Sequence, residues 1–214
     1  MIIIPSILVQ SEDEFKKQIK ALDNVLDLVQ LDIADGKFVP NTTWANPEIV
    51  KRETPMDIEL HLMVESPLKE LARWGSVDQV IRILVHYESV KNLAEIMPTL
   101  HAYGWEIGIV LNPDTPIDVL EPYIHEIKTV MFMGVYPGKQ GQKLIPEVLQ
   151  KIKQFKTKHP QISVELDGAV NEETLPDITK TRVDAICPGS AIFKNDREPK
   201  DNVKRMEEII NRLT

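Results

Sequence analysis

The sequence predicts an α/β fold, a (β/α)8 TIM barrel that forms a single domain over residues 1–214. Eight short β-rich runs start roughly 20–35 residues apart, which leaves room for one helix and two loops in each repeat. The length of 214 residues lies near the lower size limit of such barrels. An open, doubly wound sheet is the alternative, but such sheets usually have five or six strands. Moreover, no GxGxxG motif follows the first run.

The eight runs alternate with segments of helical character. Ser11 and Glu14 form a predicted capping box, and apolar residues follow them at helical spacing. Segments Ile145–Lys158 and Lys200–Arg212 are amphipathic in the same way. The predicted strands are Ile2–Leu8, Leu28–Ile33, Ile58–Met63, Val80–His86, Glu106–Leu111, Thr129–Gly134, Ile162–Leu166 and Asp184–Pro188.

Composition and charge exclude several classes of protein. No apolar run approaches the roughly 20 residues that cross a bilayer, so we expect neither a membrane protein nor a membrane partner. The N-terminus lacks the basic leader of a signal peptide. The single cysteine, Cys187, cannot form an internal disulfide, which favours a reducing, cytoplasmic compartment. The net charge is −8 and no basic block stands out, which argues against a nucleic-acid partner.

Polar side chains gather at the predicted C-terminal ends of the strands, where TIM barrels carry their chemistry. Alternation along a strand places Gln30 and Asp32 on one face, and His61 and Asp167 have the equivalent position on their own strands. Strands two and seven lie three apart in an eight-membered ring, so Asp32 and Asp167 could flank a ligand from different sides. The alternative is that such aspartates cap helices or turns, and that His61 and His86 are satisfied core residues.

Glycines indicate a phosphate site. Gly138, Gly141, Gly168 and Gly189 are four of the nine glycines, and all follow strands six to eight. The loops after strands seven and eight usually form the phosphate-binding site of TIM barrels, and glycine lets backbone N–H groups approach an anion closely. The alternative is that these glycines occupy left-handed turn positions. Because the net charge is negative, we expect any phosphate to be held locally, by backbone groups.

Five stretches match one known family in order and spacing. They are DIADGKFVPN (Asp32–Asn41), ELHLMVESP (Glu59–Pro67), VLNPDTP (Val110–Pro116), VYPGKQGQK (Val135–Lys143) and ELDGAV (Glu165–Val170). With these stretches the sequence resembles the ribulose-phosphate 3-epimerase family, and the resemblance covers nearly the whole chain, from Pro5 to Phe193.

The resemblance implies a TIM barrel that epimerises a sugar phosphate, most closely D-ribulose 5-phosphate, at C3 through an enediolate. It makes Asp32 and Asp167 the two acid/base carboxylates. It also makes Asp32, His61 and Asp167 ligands of a divalent metal ion (Zn, Fe or Mn), and it implies no organic cofactor. The implied substrate-binding residues are Ser6, His61, Met63, Met133, Gly138, Gly141, Gln142, Gly168, Gly189 and Ser190.

The sequence departs from the family pattern at the metal and phosphate positions. The family motif His-x-Asp, whose histidine binds metal, reads Gln30-x-Asp32 here. An amide oxygen is a weaker ligand than imidazole, so Gln30 is a doubtful ligand and metal binding is expected to be weakened. Lys37 replaces a family histidine, Ala169 replaces the second glycine of Asp-Gly-Gly, and the loop over residues 136–142 also differs.

Three functions fit these departures. The first is a pentulose-phosphate epimerase with weak or altered metal use. The second is an epimerase or isomerase for a related ketose phosphate, such as allulose 6-phosphate, with Lys37, Tyr136 and Lys139 reshaping the pocket. The third is a non-catalytic paralogue that binds sugar phosphates. Asp32 and Asp167 together favour an enzyme, because a binding protein does not need two acid/base carboxylates. Members of the family are often dimers or hexamers, so a homo-oligomer is one expectation.

Overall fold

A parallel sheet that closes on itself forms the centre of the protein. The computed structural model describes residues 1–138 and 142–214. Within these ranges nine parallel strands follow the order β1-β9-β8-β7-β6-β5-β4-β3-β2. The strands are β1 (Ile2–Ile3), β2 (Ser6–Ile7), β3 (Leu28–Ala34), β4 (Asp57–Met63), β5 (Val80–His86), β6 (Glu106–Leu111), β7 (Thr129–Met133), β8 (Ser163–Asp167) and β9 (Ala185–Cys187).

Pro5 divides the first predicted strand into β1 and β2, because proline has no N–H to donate to a neighbouring strand. Strand β1 pairs with β9, and β2 pairs with β3. The backbone of the same segment bonds to both neighbours, since Ile4 donates to the Ile186 carbonyl at 2.9 Å and Gln30 donates to the Pro5 carbonyl at 3.0 Å. The segment that contains β1 and β2 therefore joins the two edges of the sheet, which confirms the predicted (β/α)8 barrel.

Helices and short 3-10 turns connect the strands. Helix α1 begins as predicted, because the Ser11 hydroxyl accepts the Glu14 N–H at 3.2 Å. The Glu14 carboxylate accepts the N–H of Gln10, one residue earlier than in a capping box. The helices are α1 (Glu12–Leu22), α2 (Pro47–Glu53), α3 (Pro67–Leu71), α4 (Leu93–Ala102), α5 (Pro146–Lys158), α6 (Leu175–Ile178), α7 (Ser190–Phe193) and α8 (Pro199–Leu213); the 3-10 turns are Tyr87–Ser89, Ile117–Tyr123 and Thr179–Thr181.

The inside of the barrel has a charged layer beneath its C-terminal mouth. Arg82 on β5 contacts Glu59 and Glu165 through Nη1, and Glu106 through Nε, each at 2.7 Å. Glu59 and Glu165 are fully buried, and each lies two residues before a site residue on the same face of its strand. The charged layer therefore lies directly beneath the site residues at the mouth of the barrel. Across the ranges that the structure describes, no helix is both long and apolar enough to span a membrane.

Candidate active site

Four buried side chains converge at the mouth of the barrel. Gln30 and Asp32 face inward from β3, His61 from β4 and Asp167 from β8. Asp32 lies directly opposite His61 in the β3–β4 register. One ligand atom from each of Asp32, His61 and Asp167 lies within 4.8 Å of the others. The convergence of two aspartates from distant strands on one point is as the alternation along the strands predicts.

Two donors are shared between the two carboxylates. The Gln30 Nε2 amide donates to Asp32 Oδ1 at 2.8 Å and to Asp167 Oδ2 at 2.9 Å. The His61 Nδ1 atom lies 2.9 Å from the same Asp32 oxygen and 3.3 Å from the same Asp167 oxygen. Asp32 and Asp167 are 4% and 7% exposed, so these contacts replace most of the water that two carboxylates would otherwise bind.

Burial and hydrogen bonding shift the protonation of the cluster in opposite directions. Burial raises the pKa of Asp32, and the hydrogen bond from His61 opposes this rise. Burial would lower the pKa of His61, but hydrogen bonds to Asp167 and Asp32 outweigh it and raise the pKa to about 10. Without a cation, His61 is therefore an imidazolium that donates from Nδ1 to the carboxylates.

His86 holds the other side of the His61 ring. The two Nε2 atoms are 2.9 Å apart, and the rings stack with centroids 5.1 Å apart. Burial lowers the pKa of His86 to about 4, so His86 is neutral and accepts the proton of His61 Nε2. The sequence favoured a core role for His86, and nothing in its local pattern signalled this contact. His86 therefore fixes the orientation of His61.

The cluster fits a divalent metal ion at three of its four side chains. Two carboxylates and an imidazole are ligands typical of Zn²⁺ and similar ions, and Asp32, His61 and Asp167 supply them. Gln30 does not add a fourth ligand in this arrangement, because its NH2 group faces the carboxylates. Its Oε1 atom is buried and has no hydrogen-bond partner in the described parts of the chain.

A second group of potential ligands lies in the charged layer. Atoms of Glu59, Glu165 and Cys187 also lie within 4.8 Å of one another. The Arg82 guanidinium already pairs with both glutamates, so a metal ion would meet a fixed positive charge there. Burial raises the pKa of the Cys187 thiol well above its usual range, so the thiol stays protonated and is a poor metal ligand.

A cavity of about 680 Å³ opens above the cluster, a volume typical of small-molecule sites. His61 lies behind its wall and is fully buried. Gly141 lies outside the described residues. The predicted site residues that line the cavity are Ser6, Asp32, Met63, Met133, Gly138, Gln142, Asp167, Gly168, Gly189 and Ser190.

The glycines around the cavity also have packing roles. Gly168 has φ +97°, and a Cβ there would lie 2.6 Å from Val135 Cγ2. A Cβ on Gly189 would lie 2.8 Å from Ser6 Oγ, so this glycine lets β2 approach the loop after β9. The left-handed alternative therefore holds for Gly168, whereas Gly189 has φ −100° and is favoured by the close packing against Ser6.

Two lysines line the cavity that sequence reasoning had not selected. They are Lys143, which follows the loop after β7, and Lys194, which follows α7. Lys143 is the last residue of the VYPGKQGQK stretch and Lys194 follows Phe193, where the family resemblance ends, and these positions were the available signal. The sequence suggested Lys37, Tyr136 and Lys139 as residues that reshape the pocket. Lys37 and Tyr136 do not line it, and Lys139 lies outside the described residues. Lys37 Nζ lies 3.6 Å from the Glu65 carboxylate, and the Tyr136 hydroxyl donates to Asp114 at 2.7 Å.

Comparison with known proteins relates the chain to one family. The model of the ribulose-phosphate 3 epimerase family matches residues 2–193. The ribulose-phosphate 3-epimerase of Bacillus subtilis is 32% identical over 205 residues, which is 92% of this chain and 94% of that protein. The enzyme of the same name from Methanocaldococcus jannaschii is 32% identical over 210 residues, covering 95% of this chain and 88% of that protein.

Solved structures share the fold at low sequence identity. The 3-hexulose-6-phosphate synthase of Salmonella typhimurium has a TM-score of 0.74 at 10% identity and covers 100% of both chains. The orotidine 5'-phosphate decarboxylase of Pyrococcus horikoshii has a TM-score of 0.68 at 17% identity and covers 99% of both chains. At these identities the likeness concerns the barrel alone.

Proposed function

Because the chain belongs to the ribulose-phosphate 3-epimerase family and is thus an epimerase, an enzyme of the isomerase class, we propose that it epimerises a ketose phosphate at C3, most closely D-ribulose 5-phosphate. The observation that carries the proposal is the pair of buried carboxylates, Asp32 and Asp167, which reach one cavity from well-separated strands. A protein that only bound sugar phosphate would not need such a pair.

Two proton transfers make up the proposed reaction. One of the two aspartates removes the proton at C3, which is acidic because the neighbouring carbon is a carbonyl. The C3–H electron pair forms a double bond between C2 and C3, and the π pair of the C2 carbonyl moves to its oxygen, which gives an enediolate. The other aspartate, protonated at that stage, returns a proton to the opposite face of C3. Burial supports acid/base catalysis by Asp32, because it raises the pKa of this carboxyl toward the value expected of a general base near neutral pH.

A divalent metal ion, Zn, Fe or Mn, would be held by Asp32, His61 and Asp167. When bound, it would polarise the substrate carbonyl and stabilise negative charge on the enediolate. Gln30 stands where the family has an imidazole ligand, so we expect weaker metal binding than a complete ligand set would give.

The rest of the substrate would lie along the cavity wall. Met63 and Met133 offer apolar contact to the flat enediolate, and both line the cavity. The phosphate would lie near Gly168 and Gly189, which line the cavity, with positive charge from Lys143. The last contribution modifies the expectation that backbone groups alone hold the phosphate.

Two observations bear on the compartment. A relative from Oryza sativa carries the name of a cytoplasmic isoform and is 32% identical over 175 residues. Cys187 is buried and unpaired, as in a reducing compartment. We propose a cytoplasmic enzyme on this basis, and the homo-oligomer stays a prediction.

The test is deuterium exchange at C3 in D2O with a panel of ketose phosphates, with and without Zn²⁺, Mn²⁺ and Fe²⁺. We expect deuterium at C3 and formation of the epimer with D-ribulose 5-phosphate, followed by NMR. Exchange only with a ketohexose phosphate such as allulose 6-phosphate would move the assignment to the related epimerase. Binding without exchange for every member of the panel would contradict an enzyme.

A further inference from the structure

We propose that Gln30 is a positioning residue whose carboxamide holds Asp32 and Asp167 together in place of a metal ion. The inference deepens the proposed function and rests on it for the identity of the reacting pair. Gln30 is fully buried at the mouth of the barrel, and its amide nitrogen lies between the two carboxylates. The bridge is part of the fold, so the pair is assembled before any cation arrives.

The number of donors explains why a carboxamide suits this position. An NH2 group carries two hydrogens, so it can serve one oxygen of each carboxylate at the same time, and Gln30 does so at 2.8 and 2.9 Å. Hydrogen bonds to charged acceptors are about twice as strong as those between neutral groups. A neutral imidazole at this position would have one N–H, and it could serve only one of Asp32 and Asp167.

The orientation of the amide follows from charge. Rotating the Gln30 side chain by a half-turn would place Oε1 against Asp32 and Asp167, and three oxygens bearing negative charge would then face one another. The observed orientation leaves Oε1 buried without a partner in the described part of the protein, which is the smaller loss. The carboxamide therefore acts here as a donor to the carboxylates rather than as a ligand for a cation.

The experiment compares the wild type with two variants. Gln30→Leu keeps the approximate volume and removes both donors. Gln30→His removes one donor and adds an imidazole ligand. The matched control is Gln79→Leu. Gln79 Nε2 also donates to two acceptors, the carbonyls of Lys51 and Thr54 at 2.7 and 3.0 Å, and among the described residues its Oε1 also has no hydrogen-bond partner. Each protein is measured in EDTA and in Zn²⁺, for thermal unfolding and for deuterium exchange at C3 of D-ribulose 5-phosphate.

We expect the wild type to keep its melting temperature and its exchange rate in EDTA. In EDTA, Gln30→Leu and Gln30→His should lose exchange by about 10²-fold, mainly in kcat, because the amide that donates to both carboxylates is lost and only His61 still contacts them both. Zn²⁺ should raise the melting temperature and the exchange rate of both Gln30 variants, and it should bind more tightly to Gln30→His than to the wild type. Gln79→Leu should melt lower by the same amount in EDTA and in Zn²⁺ and should exchange like the wild type.

Two results would overturn the inference. One is a wild type that loses its exchange or melts lower in EDTA and recovers with Zn²⁺. The other is a Gln30→Leu protein whose melting temperature responds to Zn²⁺ no differently from that of Gln79→Leu. The melting data stand apart from catalysis. If the wild type exchanges no ketose phosphate at all, the proposed function fails, while the comparison of melting temperatures still decides whether Gln30 bridges the pair.

Discussion

Replacing Arg82 with methionine should lower the free energy of unfolding by about 3–5 kcal/mol, the usual loss when one partner of a buried ion pair is removed. The guanidinium makes three contacts of 2.7 Å to carboxylates. Two of these carboxylates, Glu59 and Glu165, are 0% and 1% exposed, so neither can turn to water after the substitution. Methionine retains most of the apolar stem of arginine, and the loss therefore reports on the charge rather than on a cavity.

The stability lost in Arg82→Met should depend on pH. Burial raises the pKa of Glu165 to about 7, although the positive charge of Arg82 lowers it. Burial also raises the pKa of Glu59 well above its ordinary value. In Arg82→Met the opposing guanidinium is gone, so the folded protein binds protons more tightly than the unfolded chain. The free energy of unfolding of the variant should therefore be highest at about pH 5, where the two carboxyls are protonated. It should fall as the pH rises toward about 8.

The assay is chemical unfolding at both pH values, followed by circular dichroism. At about 2–4 °C per kcal/mol for a chain of this size, the melting temperature should also fall by roughly 6–20 °C at the higher pH. The control is Arg205→Met, which removes an exposed pair with Glu172 and should cost about 0–1 kcal/mol. A loss of less than about 1 kcal/mol in Arg82→Met, or a loss that grows as the pH falls, would refute the reasoning.

Two further predictions concern backbone strain and acid stability. Ala169 adopts a left-handed conformation with φ +56°, so Ala169→Gly should raise the free energy of unfolding by about 0.5–1 kcal/mol in chemical denaturation, whereas Ala191→Gly in α7 should lower it; a destabilised Ala169→Gly would be inconsistent with strain. His86 is neutral in the fold with a pKa of about 4, below that of the unfolded chain. Its contribution is therefore present above about pH 6.5 and is lost as the pH falls toward about 4. Melting temperatures of His86→Gln should thus decline less over this range than those of the wild type, and equal slopes would argue against a neutral His86.

The fold was predictable because its signal is repeated eight times along the chain. The strand bounds agree with the sequence patterns to within one or two residues at most positions. The first strand is the exception, since the apolar run Ile2–Leu8 reads as one strand, but Pro5 splits it into β1 and β2. Short helices such as α3 and α7 have too few turns for an amphipathic period, so their bounds depend on tertiary contacts.

The site was predictable to the level of which residues meet, but not of how they bond. Alternation along the strands predicts that Asp32, His61 and Asp167 all face into the barrel, since the face that a side chain occupies follows from the pleat alone. The amide contact between Gln30 and Asp167 reaches across 137 residues of sequence, and local patterns contain no information on the direction in which an amide points. The contact between His61 and His86 depends in the same way on distances between strands.

The most direct test of the central claim follows each aspartate separately. Asp32→Asn and Asp167→Asn are each incubated in D2O with D-ribulose 5-phosphate and, separately, with its C3 epimer. We expect both variants to lose epimerisation by about 10²-fold or more, while each retains deuterium exchange with one epimer only, a different one for each variant. Epimerisation and exchange at wild-type rates in both variants would contradict proton transfer by this pair.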